Sequence, residues 1–124
     1  MSVVLDSSAV LAWLRSEPGS ERVRPLIDGG VIAAPNWSEV LQKVQQHGRD
    51  MAEVGHLLRA LGIDVEPVSA GDAEAAARLW SDNPALSLAD RLCLAVARRL
   101  GAPALTADQQ WAQADFKVDV RLVR

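Results

Sequence analysis

The chain has 124 residues, 49% of them hydrophobic, and a single cysteine. That suits one compact domain over 1–124 with its own core, and it excludes a disordered chain or a disulfide-stapled one. Thirteen Lys and Arg against sixteen Asp and Glu give a net charge of −3, which excludes a simple electrostatic binder of nucleic acid but not an enzyme that meets nucleic acid through bound divalent ions.

"SVVLD" at 2–6 is a short Val-rich run and reads as a buried strand. "SSAVLAWLR" then suits a helix with Ser7 or Ser8 as its cap. A second helix is expected over 20–28, opened by Ser20 and closed by Gly29 and Gly30, although Pro25 removes one of its hydrogen bonds. "VIAAP" at 31–35 is a strand. The helix after it, 36–48, places Trp37, Val40, Leu41 and Val44 on one stripe and stops at Gly48. Another helix runs from an Asp50 cap to Gly62. "IDVEPV" at 63–68 alternates, and Pro67 puts it near a sheet edge. A helix from Asp72 to about Trp80 and a polar loop at 81–86 follow. "SLADRLCLAVARRLG" is a helix over 87–100 ending at Gly101, with Arg98 and Arg99 in the last turn, where the helix dipole favours cations. "APALTA" at 102–107 is a strand, 108–114 a short helix and 118–123 a last strand. Cys93 and the Trp37 stripe are expected in the core.

Strand–helix alternation throughout argues an α/β fold with a mostly parallel central sheet and helices on both faces. Right-handed crossovers bring every strand-to-helix turn to one edge of such a sheet, and ligands bind at that edge, near the switch in strand order. Four acids fall there: Asp6 after the first strand, Glu39 and Asp90 in the first turns of their helices, and Asp108 after "APALTA". Each also has a purely structural explanation. Asp6 or Asp108 can cap a helix, and Asn36–Glu39 and Ser87–Asp90 have capping-box spacing. Glu39 can pair with Lys43 four residues on, and it lies opposite its helix's apolar stripe, which favours solvent.

The ordered set says more than any single acid. "VVLDSSAVLAWL", "APNWSEVLQK", "SLADRLCLAVARRLG" and "LTAD", in this order, closely resemble the PIN-domain ribonucleases, in particular the VapC-type toxins of bacterial toxin–antitoxin pairs. The resemblance covers nearly the whole chain. It implies a PIN-like three-layer α/β/α fold and an endonuclease that cuts RNA. It implies that Asp6, Glu39, Asp90 and Asp108 hold one or two Mg²⁺ or Mn²⁺ ions, with Ser7 and Thr106 orienting a carboxylate or a metal-bound water. Gln109 and Gln110 follow Asp108, so that stretch adds no further acid. The implied partners are a cognate antitoxin whose tail covers the active groove and a second copy in a homodimer.

The chemistry agrees with such a set. Converging carboxylates repel one another and an anionic phosphodiester, and a hard divalent cation with oxygen ligands relieves both. Basic residues such as Arg15, Lys43, Arg49 and Arg91 are candidates to guide RNA. Two other readings compete: a non-catalytic α/β binding module whose acids only cap helices, and a phospho-accepting receiver-like domain. The receiver reading wants an acidic pair near Asp6 and a late lysine, and a haloacid-dehalogenase-type phosphatase wants a second Asp where Ser8 stands. No apolar run approaches the ~20 residues of a membrane span and no basic start with an apolar segment marks a secretory leader, so the expected site of action is the cytoplasm, with no membrane partner.

Overall fold

The computed structural model describes residues 2–113 and 115–124. Its strands are β1 (Val4–Leu5), β2 (Val31–Ala33), β3 (Asp64–Glu66), β4 (Ala104–Thr106) and β5 (Val120–Leu122). They form one sheet in the order β3-β2-β1-β4-β5, and every pairing is parallel. The chain builds outward from β1 on one side, then crosses to the other. The switch in strand order therefore falls between β1 and β4, where Val4 pairs with Ala104 and Leu5 with Leu105. A receiver domain has the different order 2-1-3-4-5, so the topology sets that reading aside.

Six α-helices are seen among the described residues: α1 (Ser7–Leu14), α2 (Ser20–Ile27), α3 (Ala34–Gln46), α4 (Met51–Ala60), α5 (Ala70–Trp80) and α6 (Leu88–Leu100). The expected short helix at 108–114 is a 3-10 helix over Gln109–Gln113, and position 114 lies outside the described residues. Side chains alternate across the strands and so feed two cores. Val3, Leu5 and Leu105 pack with Val10 of α1, Val23 of α2 and Val40 of α3. Val4 and Ala104 face the other way, onto Cys93, Leu94 and Ala97 of α6 and the buried ring of Trp111. A small third cluster, Ala76, Leu92 and Ala95, joins α5 to α6. Because α6 is covered by the sheet on one side and α5 on another, six consecutive residues, Leu92–Ala97, are buried.

Three helix starts differ from those the sequence predicts. Ahead of α1 the N-cap position belongs to Asp6, not to Ser7 or Ser8, and the Asp6 side chain makes no capping bond. α3 begins two residues early, at Ala34, because Pro35 is suited to a first turn and lacks only an N–H that would be unpaired there. α5 begins at Ala70 under a Ser69 cap, with Asp72 as the acid of a capping box rather than the first residue. Gly19, at φ +90°, caps α2, and a side chain there would run into the Val123 carbonyl. Its place is thus set both by backbone conformation and by the close approach of the chain after β5.

Candidate active site

The site forms at the carboxyl ends of β1 and β4 and the amino ends of α1, α3 and α6. Asp6 leaves β1 in extended conformation (φ −70°, ψ 155°) and is only 3% exposed. Its carboxylate is used inward. Oδ2 accepts from Ser8 Oγ at 2.6 Å and from Thr106 Oγ1 at 2.9 Å, and Oδ1 accepts from Asn36 Nδ2 at 3.4 Å. Ser8 and Thr106 are braced in turn. Their hydroxyls lie 3.1 Å apart, Ser8 Oγ accepts from the Ala107 N–H at 2.9 Å, and Thr106 Oγ1 accepts from the Asp108 N–H at 3.0 Å. The small hydroxyls thus fasten the β4 turn to the β1 turn around one buried acid.

Glu39 is half-buried. The expected pair with Lys43 is not among the ion pairs of the described residues. Oε1 accepts from Ser7 Oγ at 3.0 Å and from Asn36 Nδ2 at 3.3 Å instead. Asn36 is a site residue that the sequence alone does not reveal. The early start of α3 moves it from a cap position into the first turn, on the same face as Glu39, fully buried. Its NH₂ group faces three acceptors, the third being the Ala89 carbonyl at 3.3 Å, so it ties Asp6 and Glu39 to the start of α6. Its Oδ1 is buried and has no partner.

Asp90 and Asp108 keep the structural roles that their spacing allows. Asp90 Oδ2 accepts from the Ser87 N–H at 3.1 Å, completing the capping box of α6. Asp108 Oδ1 accepts from the Gln110 N–H at 2.9 Å at the start of the 3-10 helix. Among the described residues, no three acidic, His or Cys side chains already converge as a ligand set. The neighbouring charges nevertheless reach Asp6 and Asp90. Burial, opposed by the Ser8 and Thr106 hydrogen bonds, pushes the Asp6 carboxyl up to about 6, with the charges of Asp90 and Glu39 adding to the rise. Asp90 is also pushed up, first by burial and then by Asp108. The Cys93 thiol beneath them is raised well above its ordinary value by burial and by Asp6, Asp90 and Glu39.

These residues fit a hard divalent ion. The donors are all oxygens, a buried carboxylate has its charge disfavoured by two neighbouring acids, and an amide oxygen beside them is unsatisfied. A zinc-type set is not offered, since Cys93 lies in the core cluster and both histidines are exposed.

A parallel α/β sheet with a buried carboxylate at its switch point defines the class. The chain belongs to the PIN domain family, whose model matches residues 3–117. It is 29% identical over 129 residues to ribonuclease VapC42 of Mycobacterium tuberculosis, covering 93% of this chain and 97% of that one. Its fold superposes on a toxin–antitoxin complex from Klebsiella pneumoniae with TM-score 0.82 and 16% identity, over 99% of this chain and 98% of that chain. M. tuberculosis VapC20, described as a sarcin–ricin loop cleaving toxin, matches with TM-score 0.73 and 21% identity, over 97% and 99%. The PIN-like three-layer α/β/α fold expected from the resemblance is the fold observed.

Proposed function

We propose that this chain is an endoribonuclease of the VapC type, acting in the cytoplasm with Mg²⁺ or Mn²⁺ at Asp6, Glu39, Asp90 and Asp108. The observation that carries the reading is Asp6. It occupies an N-cap position yet caps nothing, and it is buried where its charge is costly. The Ser8, Thr106 and Asn36 bonds hold it in place, and a neutral acceptor would serve them without that cost, so a carboxylate kept there points to a ligand or a reaction. The matched relatives named as ribonucleases support RNA as the substrate.

In this reading Asp6, Asp90 and Asp108 would hold the ion, and Glu39 would ligate it or serve as a base. The ion, when bound, supplies a water of lowered pKa and neutralises charge on the phosphate oxygens. The chain's own groups set the arrangement. Ser8 and Thr106 hold Asp6 Oδ2, while Ser7 and Asn36 hold Glu39 Oε1. Asp90 and Asp108 would exchange bonds to their own turns for the ion. We further propose an antitoxin partner, as in the Klebsiella complex, and a homodimer. Trp80 and Leu88, 56% and 60% exposed, supply apolar surface for such contacts.

The test is cleavage of RNA by purified protein with Mn²⁺. Asp6→Asn and Asp90→Asn should each keep native circular dichroism and lose at least a hundredfold in rate. Cleavage that survives in both variants at the wild-type rate overturns the assignment.

A further inference from the structure

A cavity of about 470 Å³ opens between the 81–86 loop and the 3-10 helix Gln109–Gln113. Both of its walls lead to acids of the site. The loop wall ends at Leu86, next to Ser87, whose N–H and hydroxyl close the capping box on Asp90. The opposite wall carries Gln110, whose N–H donates to Asp108 Oδ1 at 2.9 Å. The cavity thus adjoins the segments that present Asp90 and Asp108.

Its walls are fixed, and most of its polar groups are carboxamides. The Asn83 N–H and its side-chain Nδ2 both donate to the Leu79 carbonyl, at 3.1 and 3.2 Å, and the Leu86 N–H donates to the Asn83 carbonyl at 3.1 Å. Leu86 and Phe116 are buried and give an apolar floor shared with the core cluster of Trp111. Side chains three apart eclipse in a 3-10 helix. Gln110 and Gln113 therefore stand in line along the cavity, both exposed, while Trp111 between them turns into the core. Asp82 is the one charged lining residue among the described residues. A cavity without a cation is built for neither a phosphate nor a carboxylate. Carboxamides, each with a donor beside an acceptor, over an apolar floor match the polar edge and flat face of a nucleobase.

We infer that this cavity takes one unpaired base of the RNA, next to the scissile phosphate, and that Asn83, Gln110 and Gln113 read its edge. The inference rests on the ribonuclease reading and adds to it a source of sequence choice. A base enters only when unstacked, so cuts fall in loops and single-stranded ends rather than in paired stems. An acidic peptide is the poorer occupant, because Asp82 repels it and no lining cation offsets that.

The test is cleavage of random-sequence single-stranded RNA with Mn²⁺, followed by sequencing of the cut ends. Wild type should favour one base at a single nucleotide beside the cut by about tenfold, the discrimination of one well-made amide pair. Gln110→Leu/Gln113→Leu keeps the backbone N–H bonded to Asp108 and should still cut, with that preference levelled to within twofold. Gln110→Glu/Gln113→Glu has nearly the same size but only accepts, so the preference should turn to adenine and cytosine, which carry an amino group. A general loss of affinity or of folding lowers all four bases alike and cannot produce that turn. Cutting by wild type without a base preference, or with a preference that both variants keep, overturns the base cavity and leaves the ribonuclease reading standing. Absence of any cutting by wild type overturns that reading and the inference with it.

Discussion

Asp6 shows what a buried acid does to the stability of its own fold. Its ordinary value is 3.8 and its native value about 6. Between those values the native state binds more protons than the unfolded chain, so in metal-free protein its contribution to stability falls as pH rises from about 4 to about 6. Above that window the full cost remains, on the order of 3 kcal/mol. Asp6→Asn should therefore raise the urea midpoint of the metal-free protein at pH 7 and flatten this part of the pH profile, although under the proposed assignment it should remove activity. Unfolding curves at pH 4 and pH 7 check it, and a midpoint at pH 7 no higher than that of wild type contradicts it. Asp6 is legible in the sequence because local order places it at a strand end, whereas Ser7 and Thr106 are singled out only by the family resemblance. Asn36 is not, because its role depends on where α3 starts, and Pro35 moves that start. Glu39, judged from its helix alone, faces solvent. The β1–α1 turn covers that face of α3 and brings Ser7 to it, a non-local fact.

At the level of elements, the last turn of α6 is the instructive case. By sequence, Arg99 is a cation placed for the helix dipole. In the fold it reaches across to α5, where Nε lies 2.9 Å from Asp72 Oδ1 and Nη2 3.0 Å from Oδ2, and its Nη1 lies 3.0 Å from Glu66 at the end of β3. Asp72 also closes the capping box on Ser69, so one buried carboxylate holds a helix start and a neighbouring helix end together. The Arg99 guanidinium holds Asp72 below the usual carboxylate range. Its linkage is opposite in sign to that of Asp6, with stability present above the ordinary value and lost on acidification below it. Arg99→Ala should cost about 2 kcal/mol in urea unfolding at pH 7. That is less than for a fully buried pair, because Arg99 is 39% exposed and partly screened. A change under about 0.5 kcal/mol, the size of an exposed pair, contradicts the bracing role. "SLAD" is readable as a capping box from the sequence. "SAGD" at 69–72 is harder, because Gly71 lowers helix propensity inside the first turn and draws the expected start to Asp72.

At the scale of the whole molecule, the alternation of strands and helices carries the α/β class, the mostly parallel sheet and the edge on which the acids lie. Strand order is not a local property. The order β3-β2-β1-β4-β5, which brings positions 6, 39, 90 and 108 to one place, is reachable from the sequence only through family resemblance. The same is true of how far the acids converge, since Asp90 and Asp108 hold N–H groups of their own turns.

The lone thiol has a practical consequence. Cys93 is fully buried between α6 and the sheet, within reach of the charges of Asp6, Asp90 and Glu39, and it is the chain's one cysteine. A thiol-specific reagent therefore meets nothing on the native molecule and reacts only during excursions in which α6 lifts away. Its rate is a clock for those openings. If Mn²⁺ joins the α6 acid Asp90 to Asp6 as proposed, it should slow the clock at least tenfold in wild type and hardly at all in Asp90→Asn, so one buried thiol would report, without any RNA, whether the acids have closed on an ion.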